Sequence, residues 1–524
     1  MLLGPSLDSL PYGGTWSAKQ RAEFIYGPAV ARSNGERYFW LVTIARWACI
    51  PFALLGGYVC FAWAYELYGR SAGLLAQALW TFSPNVIAHG HLITPDMGAT
   101  ALGVAAAYVF WKWLGRPSWR FAIGAGLMLG LVELTKMTWV ILFVLWPMLW
   151  IIYRHQQKRE PGSSTWPIEA VQVGCILLIA IWIINLGYGF EGSFKRLGKY
   201  QFISESFTGS ALPPGHRIAG NRFAGTWLGN IPVPLPEHYI SGLDVQKADF
   251  DGKMWSYLRG QWRFGGWWYY YLYALLIKEP LGTWLLAILV VGATILIPQF
   301  YSLCFRDELS LIVPLAAILA LVSFQTGFNH HLRYVLPIYP FAFIWISRIA
   351  RCFELGHRSI AVLTLAALGW SILSSVSVFP HSLSYFNELV GGPKNGHFHL
   401  GNSNVDWGQD LLYLRSWYDQ HPEARPFHVS YDLSLIDPSL VGIEHASPTA
   451  DPRPGWYAIS VNHLHRLGHD FDYFLEFKPV AMVGYSIYIY HINLDEANRV
   501  RRKLRLPELA SDQPSRATTL QGGS

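Results

Sequence analysis

Long apolar runs separated by short polar connectors make up most of the chain. A helix that crosses a bilayer needs about 17 to 25 apolar residues, and about ten runs approach or reach that length. The predicted spans are residues 39–65, 72–89, 97–114, 121–134, 139–153, 168–186, 281–299, 309–324, 334–348 and 360–379. The second span is interrupted by Ser83-Pro84-Asn85, and residues 187–279 and 380–524 are polar stretches too long to be turns. The pattern predicts an all-α polytopic membrane protein with two large polar regions.

The composition agrees with this class of protein. Hydrophobic residues make up 52% of the chain and charged residues 14%, against about 25% charged residues in a typical soluble domain. A soluble multidomain enzyme, a disordered chain and a nucleic-acid-binding protein are therefore excluded. The five Cys lie in or beside apolar runs and predict no disulfide framework.

The net charge of +6 has a topological meaning, because Lys and Arg accumulate in the cytoplasmic loops of membrane proteins. One alternate set of loops contains Arg70, Lys112, Arg116, Arg120, Arg154, Lys158, Arg159, Arg306, Arg348, Arg351 and Arg358. The other set has only Lys136 and Arg333. We therefore expect both long polar regions and the loop 83–96 to face outside. Residues 1–38 would also lie outside, although they contain no apolar segment that could export them.

Asp96 is the first candidate for chemistry. It precedes the third predicted span at the outside face, where ionisable residues are costly and usually functional. It could cap the following helix by accepting backbone N–H bonds, or it could bind a cation or take a proton at the mouth of a cavity. His89 and His91 could be metal ligands, but residues two apart do not share a helix face.

Lys136 and Arg333 are the two basic residues of the short outside loops. Either side chain could extend along apolar surface to reach the membrane interface. Alternatively the pair could hold a phosphate, for which Arg offers a planar fork and Lys a point charge, and that phosphate would be a lipid headgroup. The aromatic stretch 262–273 is typical of an interfacial belt, with a sugar-stacking platform as the alternative.

The carboxyl-terminal region predicts a small α/β domain. Residues 427–431, 456–461 and 480–491 have the β-branched and aromatic content of strands. Ser403 or Asp406 is predicted to cap an amphipathic helix that continues through Leu412, Leu414 and Trp417. The tail from Asn498 is polar and predicted to be frayed.

Four motifs stand out along the chain: "SPNVIAHGHLITPDMGA", "GLVELTK", "LRYVLPIYPF" and "SLSYFNELVGGPKNGHFHLGNSNVDWGQDLLYLRSWY". In these motifs the chain resembles the bacterial branch of the family 39 glycosyltransferases, which includes the protein O-mannosyltransferases. The resemblance covers about residues 22–490, and the last motif is long and specific.

The resemblance implies the C-type glycosyltransferase fold, with about ten transmembrane helices and an α/β domain outside. It implies an inverting transfer of a sugar from a polyprenyl-phosphate donor to a protein, lipid or glycan acceptor. The membrane would be the bacterial cytoplasmic (inner) membrane, with the active site facing outside. Asp96 matches an acidic residue of the second outer loop, while Lys136, Arg333, Tyr334 and His91 are assigned to the lipid phosphate and the substrate. We predict no metal site and no cofactor apart from the lipid-linked sugar, with a divalent metal as the alternative.

The predicted domains are residues 1–38, a remnant of the first outer loop; 39–379, the transmembrane domain including the outer loop 187–279; 380–497, the α/β domain; and the tail 498–524. Members of the family begin with a further helix and an outer loop that contains a catalytic acid. Asp8 and Glu23 do not fit that motif, so we expect a chain that has lost this segment and whose activity is in doubt. The alternative functions are a non-catalytic relative and a membrane transporter or flippase. The lack of an internal sequence repeat argues against the transporter or flippase.

Overall fold

The computed structural model describes residues 22–155, 166–209, 219–301, 305–431 and 436–510. The chain forms two compact units. The first contains residues Arg37–Leu400, and the second combines Phe24–Glu36 with Gly401–Ser524. The carboxyl-terminal segment of the second unit begins after Leu400, whereas the α/β domain was predicted to begin after residue 379. The start of the predicted loop remnant, residues 1–21, lies outside the described residues.

The first unit is built mainly from helices. Helix α1, Ala22–Asn34, precedes it and lies mostly in the second unit. The helices that follow are α2 (Arg37–Tyr68), α3 (Arg70–Thr81), α4 (Pro84–Gly90), α5 (Pro95–Gly115), α6 (Trp119–Thr135), α7 (Leu142–His155), α8 (Trp166–Gly187), α9 (Glu205–Thr208), α10 (Glu237–Asp251), α11 (Tyr270–Lys278), α12 (Leu281–Leu296), α13 (Phe305–Phe324), α14 (Tyr339–Ser347), α15 (Arg351–Glu354) and α16 (Arg358–Val376).

Among the described residues, six helical segments are long and apolar enough to cross a membrane, or up to eight if each of two bent helix pairs is one span. The six are Arg37–Tyr68, Met137–His155, Trp166–Gly187, Arg306–Phe324, Leu332–Glu354 and Arg358–Val376, and the bent pairs are α4 with α5 and α11 with α12. The predicted polytopic helical protein is confirmed, with fewer complete spans than the ten runs suggested. Helix α6 has 17 residues, the lower limit of the range that crosses a bilayer, which is about 17 to 25 residues.

The second predicted span, residues 72–89, is wrong. It forms two helices, α3 and α4, because Ser83 is an N-cap and Pro84 occupies the first turn of α4. The Ser83 side chain accepts a bond from the Val86 N–H at 3.4 Å. A new helix start inside the apolar run replaces a continuous span.

Small residues allow the membrane helices to pack closely, as is typical of helix pairs in lipid. Helices α6 and α8 meet at two glycines. A Cβ at Gly126 would lie 2.8 Å from the Ile179 Cβ, and one at Gly130 would lie 2.4 Å from the Ile183 Cβ. These positions have no room for a side chain, so the glycines set the distance between the two helices.

The described parts of the predicted polar stretch 187–279, residues 187–209 and 219–279, are folded. They contain α9, α10 and a hairpin of β1 (Trp255–Leu258) and β2 (Gln261–Phe264), which pair in antiparallel orientation. Helix α11 closes the stretch and bends by 108° into α12.

The second unit contains a four-stranded sheet in the order β3-β4-β6-β5. Strands β3 and β4 are parallel, and the other pairs are antiparallel. This part of the unit also contains three helices. The elements are β3 (Phe427–Ser430), β4 (Gly455–Ser460), β5 (Ala481–Val483), β6 (Ile487–Ile492), α17 (Leu411–Gln420), α18 (Val461–Leu464) and α19 (Leu494–Lys503). The predicted α/β architecture is confirmed.

Three local predictions for this unit need correction. Residues 480–491 form two strands, because the chain turns at Gly484, which has a φ of +57°. A Cβ at this position would lie 2.1 Å from an Asp410 carboxylate oxygen. Neither Ser403 nor Asp406 caps α17, which begins only at Leu411; Asp406 instead accepts a bond from the Ser460 hydroxyl at 2.6 Å. The predicted tail is helical up to Lys503, because Asn493 and Glu496 form a capping box.

Candidate active site

Asp96 lies in the first turn of α5 with its side chain buried. The N-cap is Thr94, so Asp96 does not cap the helix. Only 1% of the residue is exposed, and a buried carboxylate requires partners. Its Oδ1 accepts a bond from the Lys136 Nζ at 2.6 Å, and its Oδ2 accepts one from the Arg333 Nη1 at 3.2 Å. We call Asp96, Lys136 and Arg333 the ion cluster.

Lys136 reaches Asp96 because the chain turns sharply after α6. Lys136 has an extended backbone, and the short 3₁₀ helix Met137–Ile141 follows it. Trp139 in this turn is fully buried and donates from its Nε1 to the Ala99 carbonyl of α5 at 2.9 Å. Its ring lies against Gly103, where a Cβ would be 1.9 Å from the Trp139 Cζ2. The turn is therefore fixed to α5, the helix whose first turn contains Asp96.

Arg333 belongs to the 3₁₀ helix Leu332–Ile338, which leads into α14. The ring of Tyr334 lies beside both cations, with its centroid 5.2 Å from the Lys136 Nζ and 5.8 Å from the Arg333 guanidinium carbon. Contacts of this length stabilise cations through the ring quadrupole. Burial, together with the Arg333 charge, keeps the pKa of the preceding His331 well below its ordinary value, so His331 adds no positive charge to the cluster at neutral pH.

A cavity of about 950 Å³ lies next to the ion cluster. Lys136 and Tyr334 line it, whereas Asp96 and Arg333 do not. Its other walls are formed by the turn after Lys136, by α9, α10 and the end of α13. Its polar lining includes Ser206, Gln246, Lys247 and Gln325, and its aromatic lining includes Phe207, Phe250 and Phe328. Lys136 and Lys247 therefore face a space that is both polar and aromatic.

Helix α10 is held over this cavity by buried polar contacts. The Tyr239 hydroxyl donates to the Glu133 Oε2 at 2.9 Å, and both residues are buried. Asp244 accepts bonds from the backbone N–H groups of Ile203 and Ser204, at 2.7 and 3.0 Å. Glu133 was not among the predicted site residues, although an acid inside an apolar run is a signal of function.

His91 lies elsewhere. It lines a separate cavity of about 270 Å³ together with residues of α2, α3 and α4, and its Nδ1 lies 3.0 Å from the Ile87 carbonyl oxygen. The structure thus brings Asp96, Lys136, Arg333 and Tyr334 together but leaves His91 outside the group. Within the described residues, no three His, Cys, Asp or Glu side chains are grouped so that they could hold a metal ion.

The aromatic stretch 262–273 divides into inner and outer residues. Tyr270 and Tyr271 are buried, whereas 61% of Trp268 is exposed. The Trp267 N–H donates to the Asn329 Oδ1 at 2.5 Å, and Gly266 leaves room for this amide, since a Cβ there would lie 2.1 Å from the same oxygen. Only part of the stretch is therefore placed as an interfacial belt would be.

Fold and site together define a multi-pass membrane protein with a buried ion cluster beside a large cavity. The model of the family described as dolichyl-phosphate-mannose-protein mannosyltransferase matches residues 42–184, a segment that includes Asp96 and Lys136. This match confirms the predicted resemblance over that segment and supports a membrane glycosyltransferase. A comparison with curated proteins gave no match.

Two solved structures are similar to the chain. Both are ArnT from Cupriavidus metallidurans. The apo structure is 14% identical, with 85% of this chain and 82% of that chain covered and a TM-score of 0.37. The structure bound to undecaprenyl phosphate is 15% identical, with 85% and 83% covered and a TM-score of 0.34. Because both TM-scores are below 0.5, we base the proposal below on the family match and on the site.

Proposed function

We propose that the protein transfers a sugar from a polyprenyl-phosphate donor to a hydroxyl or amine acceptor, at the outer face of a bacterial cytoplasmic membrane. The observation that carries this proposal is the ion cluster, in which Lys136 lines the cavity and Arg333 donates to the same carboxylate, that of Asp96. Two cations and one carboxylate leave a net positive charge that suits a phosphate. The family match over residues 42–184 supports a lipid-linked mannose or a related sugar as the donor.

In the proposed reaction, the acceptor oxygen or nitrogen forms a bond to the anomeric carbon as the bond from that carbon to the phosphate oxygen breaks. The polyprenyl phosphate leaves with the electron pair, and Lys136 and Arg333 stabilise its charge. The phosphate is a good leaving group, so the reaction needs a base more than an acid. An attack from the opposite side inverts the anomeric centre.

Asp96 is the proposed base, although both of its oxygens are bonded to cations. A phosphate that enters the cavity competes with Asp96 for Lys136. The carboxylate oxygen released in this exchange then takes the proton of the acceptor. Asp96 therefore has two roles in the proposal, since it holds the cations in place before the donor binds and accepts a proton afterwards.

Transfer of radiolabelled mannose from undecaprenyl phosphate to the proteins and lipids of purified membranes tests the function. We expect labelled product in membranes with the wild-type protein and none with the Lys136→Met variant. Labelled donor that crosses the bilayer without forming product would instead indicate a transporter or flippase. If neither product nor transport appears with mannose or with a pentose donor, the glycosyltransferase proposal fails.

Direct binding of undecaprenyl phosphate tests Lys136 separately from turnover. A hydrogen bond to a charged group contributes about 1.5 to 3 kcal/mol, so Lys136→Met is expected to weaken binding by at least about tenfold. Lys195→Met is the matched control, because Lys195 is paired with Glu237 at 2.5 Å and does not line the cavity. Equal affinities of the two variants would remove Lys136 from the phosphate site.

A further inference from the structure

A second cavity lies in the first unit, away from the ion cluster. It has a volume of about 280 Å³ and lies between α11, α12, α13 and α14, near the lower end of the range for small-molecule sites. Most of its lining is apolar and includes Leu275, Leu315, Leu319, Phe343 and Ile346. It shares no lining residue with the cavity beside Lys136.

Glu279 provides a polar end to this cavity. It lies at the bend between α11 and α12 and is 6% exposed. Its Oε1 accepts a bond from the Asn85 Nδ2 at 2.7 Å. The neighbouring Lys278 does not line the cavity, and its amine donates to the Leu383 carbonyl at 2.7 Å. The Tyr339 hydroxyl also interacts with the Glu279 carboxylate.

Four residues that line this cavity have buried polar atoms without a partner of normal geometry among the described residues. These atoms are the Glu279 Oε2, the Tyr339 hydroxyl and the indole Nε1 atoms of Trp284 and Trp345. An unsatisfied polar group in an apolar region costs several kcal/mol. The interaction between Tyr339 and Glu279 lacks normal hydrogen-bond geometry. This pair and the two indole N–H groups around one cavity indicate a ligand that completes their hydrogen bonds.

The chemistry of these atoms restricts the ligand. A carboxylate oxygen requires a hydrogen-bond donor, whereas an indole N–H requires an acceptor. A hydroxyl group satisfies both, and a phosphate would be repelled by the carboxylate. The apolar walls require a hydrocarbon chain. We propose that this cavity is a second lipid site, which binds the apolar chain of a lipid and places a hydroxyl group of that lipid against Glu279.

This inference does not depend on the glycosyltransferase proposal. It is tested on the full-length protein in nanodiscs with two diazirine probes, one derived from dodecanol and one from dodecane. Mass spectrometry identifies the labelled peptides. We expect the alcohol probe to label peptides of α12 and α14 around Ala287 and Phe343 in preference to the alkane probe, with unlabelled dodecanol as an effective competitor and dodecane as a poor one.

Two variants on one helix give a matched comparison. Ala287 lines the cavity, whereas Ile288 is 65% exposed. Ala287→Phe is expected to reduce labelling by the alcohol probe about tenfold, and Ile288→Phe to leave it unchanged. Equal labelling in the two variants would overturn the proposal.

Glu279→Leu tests the hydroxyl contact. The loss of a hydrogen bond to a charged group is expected to reduce the preference for the alcohol probe over the alkane probe by about tenfold, while labelling by the alkane probe persists. If the wild-type protein shows no preference for the alcohol, the cavity only admits bulk lipid and the proposed contact with Glu279 is wrong. That result comes from the wild-type chain and does not depend on the folding of any variant.

Discussion

At the scale of single residues, a variant of the ion cluster can separate binding of the lipid phosphate from proton transfer. Asp96→Asn removes the proposed base and also removes the group that competes with phosphate for Lys136. Transfer of labelled sugar is therefore expected to fall by about 100-fold or more, while undecaprenyl phosphate binds at least as tightly as to the wild-type protein. Parallel rate and affinity measurements check this pair of effects.

Glu237→Gln is the control for Asp96→Asn, because Glu237 also pairs with a lysine but stands apart from the cavity. Glu237→Gln should change neither the rate of sugar transfer nor the affinity for undecaprenyl phosphate. A purely structural Asp96 would produce a joint loss of binding and transfer in Asp96→Asn. Wild-type transfer by this variant would refute the assignment of Asp96 as the base.

The sequence identified the members of the ion cluster, but not their contacts. Lys136 and Arg333 stood out as the basic residues of otherwise neutral loops, and Asp96 as an acid next to a span. The bond between Asp96 and Arg333 joins residues 237 positions apart, and no local pattern encodes such a separation. His91 is close to Asp96 in sequence, but it lines a different cavity from Lys136.

At the scale of elements, the position of Lys136 depends on the contact between Trp139 and α5. Gly103→Ala would place a Cβ 1.9 Å from the Trp139 ring, whereas at Gly98 the nearest atom is 3.9 Å away. We expect Gly103→Ala to destabilise the protein by about 1 to 3 kcal/mol through overpacking and to weaken lipid-phosphate binding, because the turn that contains Lys136 must move.

Gly98→Ala is the matched change on the same helix. Alanine is a better helix former than glycine, so this variant should be as stable as the wild-type protein or slightly more stable. Thermal unfolding in detergent and binding of undecaprenyl phosphate measure both effects. Identical behaviour of the two variants would show that the Trp139 contact does not position Lys136.

Apolar runs predicted most helices correctly, because lipid requires long stretches of hydrophobic side chains. They failed where a local signal interrupted the run. Ser83-Pro84 starts a new helix inside the second predicted span, and Gly484 divides the last predicted strand into two. The bends between α4 and α5 and between α11 and α12 coincide with prolines, since Pro95 lies in the first turn of α5 and Pro280 is the N-cap of α12.

At the scale of the whole molecule, His465 should make the stability of the second unit depend on pH. Burial lowers the pKa of His465 in the second unit to about 4, although the charge of Asp472 acts in the opposite direction. The unfolded chain binds this proton at the ordinary pKa of 6.5. Between these two values the unfolded state holds more protons than the folded state, so the stability of the second unit falls as the pH is lowered from about 6.5 to about 4.

Hydrogen exchange of the full-length protein, resolved by peptide, can measure how the stability of the second unit changes with pH. Relative to His465→Gln at the same pH, the wild-type peptides of α18 and β4 should lose protection on acidification, while the peptides of α5 in the first unit should not. His469→Gln is the control, since that side chain is 72% exposed, and it should retain the wild-type response. If the wild-type protein and His465→Gln lose protection in α18 and β4 to the same extent, burial of a neutral His465 does not make the stability of the second unit depend on pH.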